Sequence, residues 1–272
     1  MKYSLDAIFN LLKDSPDTNN TDDLFGYTEK TQDHAGSCTA KAFGSEVSRA
    51  RHYDKKELDL ISSYFRRGFN ISHFNENARH LFELSPNAFD TFIHAWMSEL
   101  PVETQMLSFG RSVIAAAQKA GGSQVQKRRA AEKAAVDRSD ENTCIIHEAA
   151  YKTGHEIHRI MGLLRFSPDK TGTFIAHCSP DHLVIPALGE YFTARFGETS
   201  WIIIDEKRHL FLSRQYGLTN DPPCAGNFAA EDDEWEELWK HYHKTINNES
   251  RKNPNLQRQL MPKRYWKYLP EV

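Results

Sequence analysis

The chain has 272 residues, 39% hydrophobic and 11% aromatic, enough apolar material for one large or two small domains with an ordinary core and no metal or disulfide staples. Four cysteines, Cys38, Cys144, Cys178 and Cys224, form no Cys-x-x-Cys pair, so neither a zinc ribbon nor a disulfide framework is expected, and a reducing cytoplasm suits them. The formal net charge of −3 hides an asymmetry: six acids and no base from Glu231 to Glu237, then six bases against one acid from Arg251 to Val272.

The first residues, Met1-Lys2-Tyr3-Ser4, are not followed by the apolar run of a signal peptide, and no stretch approaches the roughly 18 apolar residues of a membrane span. A cytoplasmic protein without membrane contact is expected. Residues 14 to 46 are polar and turn-rich, which predicts a long loop or a partly ordered segment. Asp54 with Glu57 three residues later is a capping-box pattern ahead of Leu58, Ile61, Tyr64 and Phe65, so a helix should run toward Gly68. Ser85-Pro86 supplies a cap and a first-turn proline for a helix through Phe89, Phe92, Ile93, Trp96 and Met97, and Pro101 separates it from a second through Met106, Phe109 and Val113. Gly121-Gly122-Ser123 then breaks the pattern. The Ala-rich basic stretch from Gln124 to Asp140, with Lys127-Arg128-Arg129, reads as a solvated helical insertion or a hinge, and a further helix should span about Asn142 to Ile160.

Beyond that point the texture becomes strand-like. Leu163–Phe166 and Thr173–Ala176 flank one turn, and Trp201–Ile204 and Leu210–Leu212 flank another around Asp205-Glu206-Lys207-Arg208. Between them, Pro186 opens a helix stopped by Gly197. The predicted fold class is α+β, a helical N-terminal part followed by a small, mostly antiparallel β-β-α-β-β sheet with packed helices. As domains, we expect residues 1–141, a helical region with the polar loop (14–46) and a basic insertion (121–140), and residues 142–272, an α+β unit. Trp235, Leu238, Trp239, Tyr242 and Ile246 predict one more amphipathic helix.

Potential ligands concentrate at His155 and His158, three apart on a helix, and at Asp181-His182 in a connection between strand and helix. Four such groups can chelate a metal if they converge. The spacing is not that of a zinc-protease helix, and ordinary hydrogen-bonding histidines explain the same residues. His158, Asp181 and His182 are therefore the candidate catalytic residues only if they meet. No Gly-x-Ser-x-Gly elbow, phosphate-binding loop or dinucleotide fingerprint is present. No cofactor is predicted, and a metal is left open. Near the C-terminus, Arg258, Lys263, Arg264 and Lys267 alternate with Tyr265, Trp266 and Tyr268. Cations can neutralise phosphates while aromatics stack on unpaired bases. The competing reading is a docked tail whose aromatics join the core while its cations stay solvated or pair with the Glu231–Glu237 cluster.

Taken together, Glu156-Ile157-His158-Arg159-Ile160-Met161-Gly162-Leu163-Leu164-Arg165-Phe166, Pro180-Asp181-His182, Trp201 with Asp205 and Lys207-Arg208, and the run from Asn253 through Lys263-Arg264-Tyr265-Trp266-Lys267-Tyr268-Leu269 resemble a bacterial domain family of unknown function. Its members are described as DNA-metabolism or DNA-repair proteins. They are typically encoded beside a radical-SAM DNA-modification protein, and the domain also occurs fused ahead of a uracil-DNA glycosylase domain. The resemblance covers 142–271, is weaker over 81–118, and does not extend clearly to 14–75 or 121–140. What it implies is a setting, DNA repair or modification, and possible partners: DNA, a radical-SAM enzyme, a uracil-DNA glycosylase. It carries over no catalytic residue. The expected function is an accessory protein that binds nucleic acid, a partner enzyme or both, through Arg159, Arg165, Lys207, Arg208, Arg258, Lys263, Arg264 and Trp266. The alternatives are a metal-dependent enzyme acting on nucleic acid and a pure protein-interaction module.

Overall fold

The computed structural model describes residues 3–12, 53–221 and 234–269, the side chains of 234–236 and 249 excepted. The polar segment 14–46 and the acids at 231–233 lie outside the described residues. Among the described residues seven α-helices precede the sheet: α1 (Leu5–Leu11), α2 (Lys55–Tyr64), α3 (Glu76–Leu84), α4 (Pro86–Met97), α5 (Glu103–Ala120), α6 (Gln124–Ala135) and α7 (Glu141–Leu163). Their starts follow the cap chemistry. Asp54 accepts the Glu57 amide and Ser85 accepts that of Ala88 ahead of Pro86, each satisfying a donor that the first helical turn leaves free. Helix α2 stops at Tyr64, one turn short of Gly68, which occupies the connection beyond it at φ 75°.

Helix α4 is the hub of this half, with Phe89, Phe92, Ile93, Ala95, Trp96 and Met97 all enclosed. Phe9 of α1 stacks on Phe92 at 4.7 Å and on Phe89 at 5.7 Å between ring centres. Full burial of each such ring is worth roughly 1.5–3 kcal/mol. Helix α1 approaches α5 closely because position 110 is glycine: a Cβ there would sit 2.7 Å from Leu12 Cδ2. Gly121 and Gly122, at φ 56° and 67°, turn the chain back so that α6 lies along α5. The basic stretch is thus a helix packed through Ala131 and Ala135, with its cations on the outer face.

The sheet has five strands in the order β1-β2-β3-β4-β5: β1 (Ser167–Pro168), β2 (Phe174–Cys178), β3 (Trp201–Asp205), β4 (Leu210–Ser213) and β5 (Gly217–Thr219). Every pairing is antiparallel except β2 with β3, where Cys178 aligns with Asp205. A 3-10 turn (Ile185–Leu188) and α8 (Gly189–Phe196) make the crossover that a parallel pair requires. The α+β prediction matches this architecture, with two local differences. The expected strand over 163–166 is not formed, because α7 runs through Leu163 and the Leu164 amide still bonds Ile160 O; β1 begins only at Ser167. A fifth strand, β5, follows β4 across a short turn and is too brief to show a period. One continuous core runs from Leu5 through the helices to Leu218 and Tyr265. Helices α9 (Glu234–Ile246) and α10 (Pro254–Leu260) lead to a 3-10 segment, Lys263–Tyr268, that returns to β2. Among the described residues no helix is long and apolar enough to cross a membrane.

Candidate functional site

At the carboxyl ends of the parallel strands β2 and β3, the position where open α/β sheets place their ligands, the chain builds two ionic hubs around the loop Pro180-Asp181-His182. Arg208 forms the first. Asp205, closing β3, accepts the amides of Lys207 (3.0 Å) and Arg208 (3.3 Å) with Oδ1, and this tight turn sends the Arg208 side chain inward. Its guanidinium is fully enclosed and donates to Asp205 Oδ2 (2.8 Å), Glu99 Oε2 (3.0 Å from Nε), Pro180 O (3.1 Å) and Asp181 O (2.7 Å). Glu99, which also accepts the Tyr53 hydroxyl, stands in the left-handed region at φ 57°. Burial holds the Asp205 carboxyl above its ordinary range even though Arg208 pulls it down; for Arg208 burial works to lower the pKa, but the hydrogen bond to Glu99 and the charges of Asp205 and Glu99 outweigh it and raise it.

Glu156 is the second hub. Only 2% exposed, it lies on the apolar face of α7 with Ala149, Thr153 and Ile160. Its carboxylate accepts the amides of Asp181 (3.1 Å) and His182 (2.8 Å), the Tyr265 hydroxyl, and Arg264 Nη2 (3.1 Å). Burial alone would raise its pKa, but the Tyr265 hydroxyl, the charge of His182 and the two amides together hold it below the ordinary value. Arg264 also bonds Asp181 Oδ2 at 2.9 Å. Outside these hubs, Glu206 accepts Lys267 Nζ (3.0 Å) and the Tyr268 hydroxyl (2.6 Å) and meets His177 Nδ1 (3.2 Å). Burial and Glu206 push the Tyr268 phenol up to about 12.

The sequence-predicted binding residues take different places in the structure. Arg208, expected as a surface phosphate or partner contact, is an internal cross-link. Lys207 spans to Asp181 O at 2.9 Å and Arg264 is tied to Glu156 and Asp181, so both hold the loop. Arg165 turns back on the carbonyls of Gly162 and Leu164. Arg258 bonds its own helix at Pro254 O and Asn255. Arg159 and Lys263 have no ion pair among the described residues; Lys263 Nζ stands 5.8 Å from the Trp266 ring centre. Trp266 is half-buried with its indole nitrogen donated to Met261 O (2.7 Å), while Tyr265 and Leu269 are enclosed. The tail is docked, and Arg264 and Lys267 pair with Glu156, Asp181 and Glu206; the expected pairing with the cluster at 231–237 falls largely outside the described residues.

The histidines do not gather. His155 and His158 stay on the exposed side of α7, and His182 Nδ1 binds Ser98 O at 2.6 Å. Among the described residues no group of three or more His, Cys, Asp or Glu is placed to hold a metal. Cys178 is no nucleophile: it is enclosed, its thiol donates to Ile204 O (3.5 Å), and burial pushes its pKa well up. The dimple beside it, lined by Ile160, Leu163, Leu164, His177, Tyr265 and Tyr268, encloses about 10 Å3, room for about one water.

A family model for a domain of unknown function, DUF4130, matches residues 123–271, more than half of the chain. The chain belongs to that family. The matched stretch contains Glu156, Asp181, Arg208, Glu206, Arg264 and Tyr265, so both hubs are centred within the family's domain, and Glu99 and Tyr53 reach them from outside it. It begins at the cap of α6, so the basic stretch that seemed an insertion falls largely inside it. Comparisons with curated proteins and with solved structures returned no match.

Proposed function

We propose that the protein is an accessory factor of DNA repair or modification that engages nucleic acid through the segment between Ser250 and Leu269. The supporting observation is a division of labour within that segment, which has six cations and no carboxylate. Arg264 and Lys267 are spent on Glu156, Asp181 and Glu206 and so anchor it. Among the described residues Arg251, Arg258 and Lys263 are exposed and have no carboxylate partner, and Lys263 lies over the half-buried Trp266 ring. Unpaired cations beside an aromatic face suit a phosphate backbone and an unstacked base. The resemblance described above adds the setting and the class of partner enzyme, a radical-SAM DNA-modification protein or a uracil-DNA glycosylase.

The test is binding of single- and double-stranded DNA, followed by fluorescence anisotropy over a range of salt. Replacing Arg258 and Lys263 by alanine should weaken binding for every sequence and reduce the log–log salt slope by about 1–2. An unchanged slope in a well-folded variant would remove the nucleic-acid reading.

A further inference from the structure

We infer that the outer face of α7 is a stacking track for single-stranded DNA, continuing the contact proposed for residues 250–269 and resting on that reading. Tyr151, His155 and His158 follow one another at i, i+4 and i+7, all of them exposed, Tyr151 to 69%. The Tyr151 and His155 rings stand 5.7 Å apart between centres, 31° from parallel, and Tyr151 keeps a ring face open to solvent. Gly162 ends the stripe, with open space where a Cβ would stand. Among the described residues the side chains of His155, His158 and Arg159 have no hydrogen-bond or ion-pair partner.

The chemistry of this face selects its occupant. From Tyr151 to Leu163 the helix carries one acid, Glu156, which is enclosed, and Glu148, just upstream, is paired with Lys152 at 2.8 Å. Arg165 donates to the carbonyls of Gly162 and Leu164 and so offsets the negative end of the helix. The stripe is left with rings and the unpaired Arg159 charge, and holds no aliphatic anchor of the kind that seats a helix in a protein groove. An unstacked base can lie on such a ring with its phosphate on the cation, whereas a duplex keeps its bases stacked on one another. Position agrees with this. Glu156, Ile160 and Leu163 mark the side of α7 that faces Arg264, Tyr265 and Tyr268 of the tail. At about 100° per residue Arg159 lies roughly 40–60° round from that side, with the rings beyond it, so a strand leaving the tail meets the cation first and the rings next.

Fluorescence anisotropy of the full chain with a labelled thymidine oligomer, and with a duplex of equal length, tests this. Tyr151→Ala should weaken single-strand binding about fivefold to thirtyfold and leave duplex binding within about twofold. Its circular dichroism and melting should match wild type, since the ring lies outside the core. Tyr151→Phe keeps the flat face and should bind the single strand as wild type does. Arg159→Ala should lower the log–log salt slope for the single strand by about 0.7. An iodouracil-substituted oligomer should photocrosslink to Tyr151, mapped by mass spectrometry of the digested adduct. The inference is overturned, and the face left to a protein partner, if Tyr151→Ala binds the single strand as wild type does or if no crosslink falls on α7. It is also overturned if Tyr151→Ala weakens duplex and single strand alike. An Arg258→Ala, Lys263→Ala variant that still loses its salt slope would show the tail contact surviving that failure, whereas a wild-type protein with no affinity for either DNA ends both readings.

Discussion

Replacing Glu156 by glutamine keeps the shape of the buried side chain and removes its charge. Oε1 now takes the Asp181 amide, Tyr265 and Arg264, and Oε2 takes the His182 amide at 2.8 Å. If the glutamine oxygen occupies the first place, its NH2 group faces the His182 N–H, donor against donor. One charge-assisted bond is lost outright and three are weakened, so the cost should be about 2–3 kcal/mol. Alanine leaves the two amides and the Tyr265 hydroxyl without this acceptor and Arg264 with Asp181 as its remaining carboxylate, and should cost about 3–5 kcal/mol. For a chain of this size the glutamine loss corresponds to a fall of roughly 5–10 °C in Tm, read by far-UV circular dichroism, with a matching shift in urea midpoint. The folded pKa of Glu156 is depressed, so the carboxylate's contribution is fully present above its ordinary value of 4.5 and fades as pH falls through the lower folded value. The gap between wild type and variant should therefore close in acid. A glutamine variant melting within about 1 °C of wild type at neutral pH would refute the placement of Glu156 as a hub.

Arg208→Ala should cost about 3–5 kcal/mol, because it leaves the enclosed Asp205 without its counter-charge and takes one partner from Glu99; urea unfolding measures this, and an Arg208→Lys variant should recover only part of it. Phe9→Ala should cost about 3–5 kcal/mol through the cavity it leaves against Phe89 and Phe92, read in the same assay. On the α2–α4 surface, burial would lower the His94 pKa, but the hydrogen bond and charge of Asp90 outweigh it and hold the pKa above 6.5. His94 should then contribute stability that is complete below pH 6.5 and is lost as pH rises through the folded value. An NMR titration of the His94 ring with its midpoint below 6.5 would contradict this.

Much of the fold was legible because caps and periodicity are local. Asp54 with Glu57 and Ser85 with Pro86 mark α2 and α4 directly, and the glycines at 121 and 122 mark the turn into α6. β1 was not legible, since two residues carry no period and Leu163 and Leu164 suit a helix end as well as a strand. The two ionic hubs fall in the stretch that the sequence singles out, but several of their members do not stand out there. Attention fell on His155 and His158 because they are ligand types, yet the register of α7 puts both off the apolar face and puts Glu156 on it, beside Thr153 and Ile160. A carboxylate in step with an apolar stripe was the available signal, for a buried charge requires partners. Arg208 could not be recognised in the same way. Its inward direction follows from the Asp205 turn and from Glu99, 109 residues distant in sequence, and neither shows in a local pattern.

The central claim is that exposed cations of the C-terminal segment contact nucleic acid while its paired cations only anchor it. The salt dependence of DNA affinity, compared between an Arg258→Ala, Lys263→Ala double variant and Arg264→Ala, tests that division most directly. The double variant should lose about 1–2 units of log–log slope with an unchanged Tm, whereas Arg264→Ala should lower Tm and leave the slope of the folded fraction as in wild type. A wild-type protein without salt-dependent DNA affinity, or a slope that falls with Arg264→Ala and not with the double variant, would contradict the account.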